Sequence, residues 1–143
     1  MKNTSRVVLR KSGWRGRRGA AAVEFAVVSP FLIAVVLGVI ELGRAVMVHQ
    51  TLVSTAREAC RVAVLPGTTK QDVTNRATTS LNAAGIGTFT ITMDPDPPSG
   101  AVEGTPVTVT IKVSFNNVSW LPVPIYLNGK NLSASSVMRR EWN

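Results

Sequence analysis

From Ala20 to Ile40 the chain carries one ionisable side chain, Glu24, in a run that is otherwise apolar or small. At a rise of about 1.5 Å per residue, roughly 21 residues make about 31 Å of helix, enough to cross the hydrocarbon core of a bilayer. We therefore expect a transmembrane helix over residues 20–41. A charge at the centre of such a helix costs roughly 2.5 to 3.5 kcal/mol. Glu24 lies only one turn in, where headgroups are near and the amino end of a helix favours an anion. A charge kept inside a membrane segment still points to a function.

The charge distribution supports this reading. The 143 residues carry 16 Lys and Arg against 8 Asp and Glu, a formal +8. Seven of the basic residues (Lys2, Arg6, Arg10, Lys11, Arg15, Arg17 and Arg18) and no acid precede Ala20. From Ala20 onward there are nine basic and eight acidic residues, so no basic stripe is left to bind nucleic acid. Lys and Arg flanking a first apolar helix hold that flank in the cytoplasm, which sends the remainder outward. Residues 1–19 form no apolar face and read as a flexible basic leader, with Gly13, Gly16 and Gly19 among its arginines. An ordinary secretory signal fits less well: the apolar run is long, contains Glu24, and has no small-residue cleavage pattern after Ile40. An uncleaved signal anchor stays open.

Pro30 sits inside the apolar helix, where it removes a backbone hydrogen bond and is expected to kink the turn before it. Beyond Ile40 the helix continues as an amphipathic one over residues 42–65. Leu42, His49, Ala56 and Ala63, then Ala45, Leu52 and Ala59, then Val46, Val53 and Cys60 form adjacent rows, with Arg44, Gln50, Thr51, Arg57 and Arg61 opposite. Pro66-Gly67 ends it. A shorter helix is expected from Thr69 to Ala84, with Val73, Ala77 and Leu81 four apart and Gly85 as its stop.

The period then changes to two. Phe89, Ile91 and Met93 alternate with threonines, as do Val107, Val109, Ile111, Val113 and Phe115 with polar residues. A third strand from Leu132 to Arg140 alternates less cleanly, with Val137 on the face of Ser133, Ser135 and Arg139. The fold class is thus α+β: a long amino-terminal helix, a short helix and a three-stranded antiparallel sheet in an extracytoplasmic head, residues 66–143. The outer half of the long helix can cover the sheet. The apolar, proline-punctuated loop from Asn116 to Lys130 either plugs the sheet or forms a contact surface.

No chemistry is assembled. One histidine, His49, and one cysteine, Cys60, allow neither a nucleophile with its base nor a metal site, and no internal disulfide. Asp94, Asp96 and Glu103 lack calcium-loop spacing and read as turn residues. No enzyme, metal or cofactor is expected.

A basic leader ending in Gly19, then Glu24-Phe25 and an apolar helix, resembles the processing site of type IV prepilins, with glutamate fifth after the glycine. Ala21 to Pro30 (AAVEFAVVSP), Ile40-Glu41-Leu42-Gly43-Arg44 and Ala56-Arg57-Glu58-Ala59-Cys60-Arg61 are more specific. They are similar to the TadE-like minor pseudopilins of the tight-adherence (Tad/Flp) type IV pilus system. The resemblance implies a pilin-like fold and cleavage by a prepilin peptidase between Gly19 and Ala20. It also implies a processing and assembly role for Glu24 and Phe25, and a structural function in pilus assembly and adhesion. Its expected partners are the peptidase, other pilins and pseudopilins through the amino-terminal helix, the inner-membrane assembly platform, and membrane lipid. Ala20 departs from the phenylalanine of the most familiar prepilins, and the length exceeds that of the system's major pilin. The alternative is an uncleaved single-pass membrane adaptor of an envelope secretion complex.

Overall fold

The structure, a computed structural model, describes residues 14–140, with side chains from residue 19 onward. Helix α1 (Trp14–Ala63) is followed by α2 (Lys70–Ala83), β1 (Thr90–Asp94), β2 (Pro106–Ser114) and β3 (Asn131–Arg139). The expected leader falls outside the described residues as far as residue 13. From Trp14 the chain is helical, so α1 starts ahead of the boundary expected at Ala20. The chain divides into two compact units, one ending at Val36 and the other beginning at Leu37.

In the first unit the described side chains of α1 are mostly exposed. Phe25, Phe31 and Ile33 are all exposed, and the apolar window of α1 has no share buried inside the protein. The many valines here are mediocre helix formers in water. In lipid the backbone has no other partner for its hydrogen bonds, and helix becomes the only solution for a single segment. Pro30 lies within α1 and supplies no N–H to the ladder. The length and composition of this helix suggest a membrane anchor.

The second unit is an α+β head. Val48, Leu52, Ala56, Ala59, Cys60 and Ala63 of α1 are buried at spacings of three and four, a helical stripe. Its small residues let the helix approach the sheet, whose β2 contributes Val107, Val109, Ile111 and Val113 to the same core. The Cys60 thiol lies 3.3 Å from the Val107 carbonyl, to which it donates, which makes it a buried packing residue. The stripe is rotated from the expected rows. Leu42, Val46 and His49 are exposed, while Val48 and Thr55 are buried. The head covers one side of α1, and apolar residues on its other side keep that side apolar without being core.

Helix α2 begins on a capping box: the Thr69 hydroxyl accepts from the Asp72 N–H, and the Asp72 carboxylate accepts from the Thr69 N–H at 2.9 Å. Val73, Ala77 and Leu81 are buried as their spacing requires, and Gly85 ends the helix at φ +74°, which only glycine adopts cheaply. Glu58 ties α1 to α2, accepting from Ser80 Oγ at 3.1 Å and pairing with Arg76 at 3.2 Å.

The sheet is antiparallel in the order β1-β2-β3. Ile91 faces Ile111, which faces Ala134, and Met93 faces Val109, which faces Ser136. These residues point inward, and Thr110 and Ser135 point outward, bonded to each other at 2.7 Å. In β3, Val137 is exposed beside Ser133, Ser135 and Arg139, as its phase predicts.

Candidate functional site

Two groups of residues stand out, one in each unit. In the first, Gly19 and Ala20 are exposed on α1, and a Cβ built at Gly19 meets nothing within 4 Å. Glu24 and Phe25 are exposed one turn further on, as is Pro30. Among the described residues of this unit, none folds over these side chains.

The second group escaped the sequence reading. Glu41 is only 1% exposed although it sits where the apolar run gives way to mixed sequence. Its carboxylate accepts three consecutive backbone N–H groups. Tyr126 and Leu127 donate to Oε2, each at 3.0 Å, and Ile125 donates to Oε1. Three residues on, Arg44 Nε donates to the Val118 carbonyl at 2.8 Å, and its guanidinium lies 5.0 Å from the centre of the Trp120 ring. Three residues back, a Cβ at Gly38 would come within 3.2 Å of the Tyr126 ring, so the absence of a side chain lets the ring pack there. Gly38, Glu41 and Arg44 thus form one face of α1 that grips the loop between β2 and β3.

The loop is held elsewhere too. Phe115 and Val118 are buried in the core, and Leu127 packs against it. Asn116 and Asn128 bond side chain to side chain at 2.8 Å, and the Gly129 N–H donates to Asn116 Oδ1. Between these anchors Trp120, Val123, Ile125 and Tyr126 are 60%, 68%, 57% and 53% exposed. The loop thus both packs on the core, through Val118 and Leu127, and leaves an apolar surface exposed. Arg44, expected on the polar face, is instead one of its supports. Glu41 was visible only as part of the Ile40–Arg44 motif, without a role.

Asp96 pairs with Lys70, and among the described residues no three His, Cys, Asp or Glu side chains gather where they could hold a metal ion. The open groove beside Met47 and Ile86 has Arg44 as its one ionisable lining residue.

The described residues thus form a long helix, whose apolar stretch suggests a membrane anchor, and an α+β head. Residues 19–61 match the family model described as TadE-like protein. Over that segment, 43 of the 143 residues, the chain is similar to that family. The match begins at Gly19 and ends inside α1, so it includes Glu24, Glu41 and Arg44 but none of the sheet. No curated protein and no solved structure matches the chain.

Proposed function

We propose that the chain is a minor pseudopilin, a structural subunit that assists assembly of a tight-adherence pilus. It is held in the cytoplasmic membrane with its amino end inside and its head outside. A prepilin peptidase cuts it between Gly19 and Ala20, and its helix then packs with those of other pilins and pseudopilins on the inner-membrane assembly platform. The observation that carries this reading is the family match, which opens on the glycine that ends the basic leader and continues through an exposed apolar helix. That surface needs cover, from lipid before assembly and from neighbouring helices after it. Gly19 lies within α1, and proteolysis needs extended backbone, so the turn around it must unwind. Glycine eases this, costing about 1 kcal/mol in a helix relative to alanine.

Glu24 then acquires its role. Cleavage creates an α-amine at Ala20, mostly protonated near neutrality because such groups titrate at about 7.7 to 8.0. One turn away in the same chain, or across to a neighbour, that amine is the natural partner of a carboxylate in lipid. Intact mass and amino-terminal sequencing of membrane-extracted protein, from cells that make the cognate peptidase, test the proposal. An amino terminus at Ala20 is expected. A chain that still begins at Met1, or one cut beyond Ile40, would overturn it.

A further inference from the structure

We infer that the loop centred on Trp120 to Tyr126 is a second membrane contact, seated in the lipid headgroup layer beside the point where α1 leaves the bilayer. The first support is its length. Ser114 and Asn131 are directly paired, so β2 and β3 lie close enough for a hairpin of about two to five residues, yet about sixteen intervene. The second is its order. Buried Val118 and Pro124, half-buried Leu127, the Asn116–Asn128 pair and the Glu41 carboxylate fix it from several sides, so the exposure of its apolar side chains is imposed by structure.

Position and composition choose the occupant. The loop's anchors on α1 are Gly38, Glu41 and Arg44, the residues at which the apolar run ends, and a helix that spans about 30 Å of hydrocarbon meets headgroups there. From Asn116 to Gly129 there is no charge, and tryptophan and tyrosine flank aliphatic residues, the composition of an interfacial belt. Cations flank this uncharged stretch: Arg44 lies 5.0 Å from the Trp120 ring, and exposed Lys130 follows Gly129. On α1 itself Leu42 and Val46 are exposed at the same level. Loop and helix together present a wet-edged apolar collar whose fitting partner is a phospholipid surface.

The inference rests on the membrane span and not on cleavage or pilus assembly, so the two readings fail separately. Trp14→Phe and Trp142→Phe leave Trp120 as the sole indole in the full chain. That protein is reconstituted into vesicles of phosphatidylcholine and phosphatidylglycerol that carry a nitroxide either near the headgroup or near the chain ends. The expected result is blue-shifted Trp120 emission, stronger loss of intensity with the headgroup-proximal label, and shielding from aqueous acrylamide. Val123→Asp, at an exposed position, should reverse all three with the far-ultraviolet circular dichroism unchanged. Full acrylamide quenching without lipid quenching would overturn the inference. So would shielding from acrylamide without lipid quenching, which would assign the collar to a second copy of the chain, or a Val123→Asp variant that behaves like its parent.

Discussion

Glu41 joins parts of the head more than eighty residues apart in sequence, and its three acceptor contacts cannot be replaced by one neutral group. Replacing it with alanine leaves the N–H groups of Ile125, Tyr126 and Leu127 without their acceptor, while the helix–sheet core keeps every side chain. The expected outcome is a locally loosened loop on an intact head. Cleavage by a protease added to detergent-solubilised Glu41→Ala should run at least roughly tenfold faster between Val118 and Asn128, since one net hydrogen bond is worth about that and three are lost. Glu41→Gln, which keeps one acceptor oxygen, should fall between the two. Equal cleavage of all three proteins would show that the carboxylate does not hold the loop. None of this was readable in sequence, since a carboxylate at the end of an apolar run looks like any boundary charge until its partners are brought back by the fold. Cys60 was readable, because a lone small apolar residue on a helical stripe has few other places to be.

At the scale of elements, periodicity carried most of the information. The alternation through β2 and the four-residue spacing of α2 reflect local geometry, and both elements form where expected, with Thr69 as the cap of α2. The phase of the buried stripe on α1 was not legible. Leu42 and Val46 belong to an apolar surface that sequence cannot divide between core and lipid, and the head's coverage decides it. The capping box makes α2 sensitive to acid. Hydrogen bonds from the Thr69 hydroxyl and then its N–H hold the Asp72 carboxyl below its ordinary value of 3.8. A group whose pKa is lowered on folding stabilises the fold above its unfolded pKa, and this contribution is lost as pH falls through the lower, folded value. Urea midpoints in detergent should therefore drop as pH falls below about 4. Asp72→Asn should flatten some of that slope, and Thr69→Ala should cost roughly 1 kcal/mol at neutral pH. An unchanged acid slope in Asp72→Asn would refute the assignment.

For the whole molecule, the family match and the head divide the labour: the matched segment lies within α1, and the sheet lies beyond it. Assembly should accordingly be sensitive in the helix. Glu24→Gln keeps the shape of an exposed side chain and removes its charge, so insertion and cleavage should persist while piliation and crosslinking to partner pilins fall several-fold, as an ion pair in lipid requires. Wild-type piliation in that variant would remove the pairing role. The clasp on the loop has a mechanical consequence as well. A load drawn along α1 from its amino end reaches the head first at Gly38, Glu41 and Arg44, before the packed stripe that starts at Val48. Glu41 meets that load with three hydrogen bonds from successive residues of one strap. The strap runs back through Val118 and Leu127 into the core, so a load taken up by the clasp is passed to the packed interior of the head.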